Sequence, residues 1–397
     1  VVKTFLFSHK LRKPSIKFFA KLFALGLMVR GLNLTKKGEH KKNKVVRWRY
    51  MTAGYKMLSL FLVLSFQGCN LWDYLSPPER EPVAPQGSRM EARELLYSYM
   101  NARLADESEE NLRGYLTEEA WNDYQSGDLN LRAGANREFI GYKIMDESDL
   151  AEGRFAFATN LQEIDRTQPQ AANITEDLIV SFSDEEYRIS SARPLKIVEL
   201  KGQGHDLIWV SRAEGRENEV KLFNLQDFPE WMSSTGRELQ LEAGRAGYAT
   251  VILNPENRRA ALGTTGTHGA LGLLSWTGET PDPEQVELTP VDVFYGEHTN
   301  LLAFSPDTRY LATEIRSTVG TDRVDVYQVS EANKLNFQLN QAFPPEQYNV
   351  SFVRWEPDSK GLLLRVSAGV KQSGEEDKMG TWRLNVQTGE REKVIGG

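Results

Sequence analysis

The sequence predicts an α+β unit followed by an all-β domain with four visible repeats of about 51 residues. Three observations predict it. Pro255, Pro306 and Pro357 lie 51 residues apart, twice, each after an apolar strand and before a second one. Ahead of them, apolar residues recur at helical spacing between residues 89 and 124. The period then changes to two from Ile140 onward. Of the 397 residues, 40% are hydrophobic and 26% charged, enough apolar material for sizeable cores, so disorder of the whole chain is excluded. Long apolar runs occur only in the first 70 residues, which excludes a polytopic membrane protein.

The chain begins with a basic segment, residues 1–56, which carries 15 of the 48 Lys and Arg and one acidic residue, Glu39. The remainder holds 33 basic and 54 acidic residues, a balance of −21. An acidic body repels a phosphate backbone, so no nucleic-acid partner is expected. The basic head is suited instead to anionic lipid. Residues 57–69 read as a signal peptide. Lys56 precedes the ten apolar-run residues 57–66, and Gln67-Gly68-Cys69 follow. The run is too short to span a bilayer, which needs about 20 apolar residues. These residues resemble a bacterial lipoprotein signal, with Gly68 and Cys69 matching the lipobox and Phe66 and Gln67 departing from it. The resemblance implies lipid attachment at Cys69 and a location on the extracytoplasmic face of a bacterial membrane. Such a signal sits near a protein's start, and Met51 or Met57 would supply one, so the part of residues 1–56 upstream of that start reads as a gene-start artefact; if translated, Ile16–Val29, interrupted by Lys21, reads as an interfacial amphipathic helix. Cys69 is the single cysteine, and an intrachain disulfide is therefore excluded.

Residues 70–88 form a tether, with four prolines between Ser76 and Gly87. Proline-rich chain is extended and semi-rigid, as a stand-off from a membrane requires. Ser88 and Glu91 then make a capping box, and Ala92, Leu96 and Tyr99 form the buried stripe of the first helix. Ser108 and Thr117 read as caps of two shorter helices, each followed by glutamates. Strands are expected at 140–144, 155–157, 174–182 and 187–189, with 183–186 as a turn. Trp121, Tyr124 and Tyr142 read as core. Helices followed by an antiparallel sheet argue for an α+β domain over 89–195. Its element order resembles the NTF2-like fold, a cone of sheet wrapped on a long first helix. Enzymes of that fold place an acid or base in the cone. No histidine lies between His40 and His205, which leaves only Asp and Glu for that task.

The repeat domain is expected over 196–397. Second strands begin at Arg259, Tyr310 and Gly361, again 51 apart, and Trp276 and Tyr327 mark third strands. One period earlier lie strands at 207–210 and 222–225. A unit of this size with four short strands fits a propeller blade. In the turn, proline fixes φ and the following Asp bonds its own backbone two residues on. The stretch 304–312, with Pro306 and Asp307, resembles the TolB-type β-propeller repeat, as does 355–361, with Pro357 and Asp358. The stretch around Pro255 is a degraded copy, with Glu256 in place of Asp. The strands at 140–189 could supply a further blade, but the helices before them favour a separate domain.

The residues carry no catalytic signature. His205, Asp206, His268 and His298 lack metal-site spacing, no G-x-S-x-G elbow occurs, and the glycine-rich 263–269 lacks the lysine of a phosphate loop. No catalytic residue, metal or cofactor is expected. The repeat-turn residues Pro255, Pro306, Asp307, Pro357 and Asp358 are expected to be structural. The function expected is a non-catalytic, lipid-anchored binding or scaffold protein whose partner is another envelope protein or ligand. The competing reading is an envelope hydrolase or lyase using carboxylates of the propeller channel.

Overall fold

The structure is a computed structural model that describes residues 88–394, apart from 127–130, 152, 184, 235–236, 243–244, 319 and 372–374. Residues 1–56, the signal, Cys69 and residues 70–87 of the tether lie outside the described residues. Helix α1 (Arg89–Leu104) begins with the expected capping box: Ser88 Oγ accepts from the Glu91 amide, and Glu91 accepts from the Ser88 amide. Helices α2 (Glu109–Arg113) and α3 (Glu118–Ser126) start at Ser108 and Thr117, whose hydroxyls accept from the amides of Asn111 and Ala120.

Six antiparallel strands follow in simple sequence order: β1 (Arg137–Asp149), β2 (Arg154–Asp165), β3 (Gln170–Ser183), β4 (Glu186–Gln203), β5 (Asp206–Ala213) and β6 (Arg216–Asn224). Helix α1 packs on one face. There Leu96, Tyr99, Phe139, Phe157, Leu161 and Leu178 share a core with the three helices. On the other face Ile140, Ile164, Val198 and Trp209 join a second core, that of the repeats. The junction expected at 195/196 therefore falls inside β4. Pro194 is accommodated there because β4 is bulged between its pairings to Thr175 and Glu176, and β5 pairs only from Lys196 onward.

Three four-stranded antiparallel sheets come next. The first comprises β9 (Tyr248–Leu253), β10 (Arg259–Thr264), β11 (His268–Ser275) and β12 (Glu287–Tyr295). The second comprises β13 (Glu297–Phe304), β14 (Tyr310–Ser317), β15 (Asp322–Gln328) and β16 (Asn333–Leu335). The third comprises β17 (Tyr348–Trp355), β18 (Gly361–Ala368), β19 (Gly380–Asn385) and β20 (Arg391–Lys393), with α4 (Leu339–Ala342) ahead of it. Contacts run in a ring: β3 and β4 meet β9, β9 meets β13, β15 meets β17, and β17 meets β1. The domain is propeller-like, with the six-stranded sheet completing the circle. The earliest of the four expected repeats is corrected here. Its strands β5 and β6 extend the six-stranded sheet, and the hairpin β7 (Trp231–Ser234) and β8 (Arg237–Gln240) packs on β12. The 51-residue period places strands but does not choose their partners.

The repeat itself is as the spacing implies. Leu253, Phe304 and Trp355 occupy equivalent positions before the turn, and all are buried. In each turn the amide of the fourth residue donates back to the first: Asn257 to Asn254, Thr308 to Ser305, Ser359 to Glu356. Asn257, Thr308 and Ser359 all have φ near +60°. Asp307 accepts from the Arg309 amide and Asp358 from the Lys360 amide. In the copy with Glu256, Asn254 takes over and accepts from the amides of Arg258 and Arg259. The Asp307→Ala variant removes a turn bond but leaves the core filled. It is expected to lose about 1 kcal/mol in urea unfolding.

Candidate functional site at the repeat turns

Two of the repeat turns meet the α+β face of the molecule. Arg93 and Tyr97 stand one helical turn apart on α1. Tyr142, Lys143, Ile144 and Glu147 come from β1. Opposite them are Pro306-Asp307 and Pro357-Asp358-Ser359. Together these residues line a cavity of about 290 Å³. The Arg93 guanidinium pairs with Glu147 through Nη2, and this bond raises its pKa. The rings of Tyr97 and Tyr142 lie 6.4 Å apart, tilted by 48°. Lys143 Nζ donates to Glu256 at 3.1 Å, so a third turn is tied to the same strand. The Ser359 hydroxyl accepts from the Asp307 amide at 3.0 Å and links the two turns.

Two donor atoms on residues that line this cavity are themselves enclosed by protein and bond to no protein group among the described residues. One is the hydroxyl of Tyr142, a residue only 5% exposed, and the other is Arg93 Nε. Buried polar groups are nearly always bonded, and one left unmet costs about 1–3 kcal/mol. Burial also pushes the Tyr142 phenol well above its ordinary pKa, so it remains a donor.

Of the residues expected at the repeat turns, Pro306, Asp307, Pro357 and Asp358 come together here. Pro255 does not. Its turn, tied to β1 only through Lys143 and Glu256, bonds chiefly to β2 and β3, where Gln162 Nε2 donates to the Leu253 carbonyl and Asn173 Nδ2 to the Asn254 carbonyl and Asn257 Oδ1. Sequence reading missed Arg93, Tyr97 and Lys143 and took Tyr142 for core alone. The i, i+4 spacing of Arg93 and Tyr97 was the available signal, but nothing local points to turns so far along the chain.

His268 stacks on Tyr295 with centroids 4.8 Å apart, and its Nδ1 accepts from the Gly296 amide. Asp206, beside His205, is held by Lys221 and Asn224. The glycine-rich stretch serves packing. A Cβ at Gly263 would lie 1.6 Å from Thr299 Oγ1, and one at Gly269 would lie 2.5 Å from the Glu297 carbonyl. Only glycine lets these two sheets approach so closely.

The buried carboxylates are already bonded. Glu314 accepts from Asn300 Nδ2 at 2.6 Å and from the Phe352 amide at 2.9 Å, while burial pushes its carboxyl above the usual range. Asp322 is held by Arg316, Asp325 by Lys334, and Asp292 by the Tyr327 hydroxyl. Glu163 pairs with Arg137 and Glu199 with Arg212.

No family model and no curated protein matches the chain. Among solved structures it is similar to TolB from Acinetobacter baumannii, at 12% identity over 76% of this chain and 68% of that one, with a TM-score of 0.30. It is also similar to the β-propeller domain of Cps50 (Swd1) from Myceliophteria thermophila, at 9% identity over 58% and 84% of the two chains, with a TM-score of 0.25. Neither superposition reaches a TM-score of 0.5, and the propeller-like architecture stands on the ring of sheets described above.

Proposed function

We propose that the protein is a lipid-anchored extracytoplasmic binding or scaffold protein, with the propeller-like domain as its platform and an NTF2-like unit packed against it. The observation that carries the binding role is the turn cavity. It brings charged and aromatic side chains of α1 and β1 against two repeat turns, while Glu314, Asp322, Asp325 and Asp292 of the propeller are already engaged by Asn, Arg, Lys, Tyr or backbone donors. The three helices followed by a sheet wrapped on α1 support the NTF2-like assignment. The signal-like residues ending at Cys69 and the proline-rich tether support the anchor. The acidic body supports a protein or small-molecule partner over nucleic acid.

The alternative is an envelope hydrolase or lyase. It draws on Glu163 and Glu314, whose carboxyls burial raises above the ordinary range. The bonds already made to both weigh against it.

Pull-down from membranes with the anchor intact is expected to recover one envelope partner in stoichiometric amount. Turnover of a polysaccharide or peptidoglycan substrate that is lost in Glu314→Gln would replace this reading with the enzyme. The anchor is tested separately. Two or three acyl chains hold a protein on a membrane stably, at about 0.8 kcal/mol per buried CH₂. Cys69→Ser is therefore expected either to release the protein from the membrane fraction or to leave its signal uncleaved. Normal cleavage with unchanged membrane association would remove the lipoprotein reading.

A further inference from the structure

We infer that the far half of the six-stranded sheet is an interface for a second copy of this chain, docked face to face about a two-fold axis. Residues alternate across a strand, so each strand shows one set of side chains to the helices and the other set away from them. Phe157, Leu178 and Val180 belong to the core under the helices. Their strand neighbours Ala156, Ala158, Ile179 and Ser181 therefore face the other way. The repeats reach only the near half of that opposite face, where Ile140, Ile164, Ala171, Val198 and Leu200 join their core. In the far half no core forms. Ala156, Ala158, Ile179, Ser181 and Ser191 stay half-buried, and Ser148 is exposed. These side chains make a flat patch of mostly small residues. Met145, Leu150 and Leu195, three exposed large apolar residues, lie at its margins. An uncovered apolar patch of this kind marks a docking surface.

The charges say what docks there. Across β1, β2, β3 and β4 one row of the ladder runs Asp146, Ala158, Asp177, Arg193, and the next runs Ser148, Ala156, Ile179, Ser191. Asp146 accepts from the Glu147 amide and Arg154 donates to the Ala151 carbonyl, but Asp146, Asp177, Arg154 and Arg193 form no ion pair among the described residues. A two-fold axis parallel to the strands, between β2 and β3, exchanges β1 with β4 and β2 with β3. It sets Asp146 against the partner's Arg193, and Arg193 against the partner's Asp146. In the next row it sets Ala156 against the partner's Ile179, small against large, and Ser148 against the partner's Ser191. The patch is thus complementary to itself in charge and in shape, as an isologous contact requires. Asp177 is level with Arg193 in its own ladder and shares that cation. With two acids and two arginines on the patch, a wholly basic or wholly acidic partner would meet as much repulsion as attraction.

Size sets the strength. Four strands about 4.8 Å apart and six residues rising about 3.4 Å each cover about 400 Å² per copy. That is about half the area each partner contributes to a stable interface, so the dimer is weak and reversible.

Sedimentation velocity of the full chain over a concentration series, in density-matched detergent, tests this. The protein mass is expected to rise from one chain toward two. Asp146→Arg or Arg193→Asp is expected to weaken the dimer at least about tenfold, because like charges then face each other twice. Combining Asp146→Arg with Arg193→Asp is expected to restore it. Ala156→Arg, in the middle of the patch, is expected to abolish the dimer without lowering Tm. A chain that stays monomeric up to about 0.5 mM would overturn the proposal. So would a dimer that survives Ala156→Arg, or a double charge swap that associates as poorly as the single variants. If the chain is monomeric and Ala156→Arg loses the protein recovered in the membrane pull-down, the face belongs to that protein and not to a second copy.

Discussion

Trp355→Ala is expected to cost about 3–5 kcal/mol of stability, the range for large aromatics removed from packed cores. Trp355 is buried at the end of β17, and its indole N–H donates to the Ala303 carbonyl of the preceding sheet at 2.9 Å. Its ring stacks on Tyr310, with centroids 6.2 Å apart. Truncation therefore empties an inter-sheet volume and strands a buried carbonyl at once. Trp355→Phe keeps most of the volume and is expected to lose less, chiefly the bond to Ala303. The loss should not stay local. Sheet neighbours form a ring that closes through β17 on β1, and β1 also carries the core under the helices. Chemical denaturation followed by probes in each half is expected to give one shared transition, shifted equally by Trp355→Ala. Two transitions, with only the repeat region shifted, would mean that the helical unit folds by itself despite the continuous β4.

What was legible in the sequence was periodic or local. The three prolines, the strands on either side of them and the apolar residues Leu253, Phe304 and Trp355 follow one spacing, so the turns and the buried positions could be read directly. Ser88 and Glu91 announce α1 by a bond between near neighbours. What was not legible depends on partners distant in sequence. Asn160, Gln162, Glu163 and Asn173 interrupt the apolar pattern, and so β2 looked far shorter than it is and β3 was expected to begin at 174 and not at Gln170. These residues are buried, and Gln162 and Asn173 bond to carbonyls of the turn around Pro255. The same holds for the cavity. Tyr142 alternates like a core residue, and only the arrival of the turns at Pro306 and Pro357 makes it part of a site.

The second large effect is expected at the centre of the helical unit. Arg103→Met should cost about 3–5 kcal/mol, because it leaves Glu176 buried without its cation. The pair is fully enclosed: the Arg103 side chain is 0% exposed and that of Glu176 is 5%. Nη1 and Nη2 each donate to one carboxylate oxygen, at 2.6 and 3.1 Å, and Nε donates to the Leu131 carbonyl. The guanidinium also lies 5.0 Å from the centroid of Phe139 and 5.6 Å from that of Tyr99. Burial acts to lower the Arg103 pKa, but the neighbouring Glu176 and Tyr99 outweigh it and raise the pKa overall. The charge is therefore kept, and so is the need for its partner. A buried pair is worth far less in total than either half suggests, since both ions gave up water to enter the core. The double variant Arg103→Met with Glu176→Leu is accordingly expected to recover most of the loss in urea unfolding. If the double variant is as unstable as the single one, the Leu131 carbonyl and the two aromatic rings, and not the missing counter-charge, account for what Arg103 contributes.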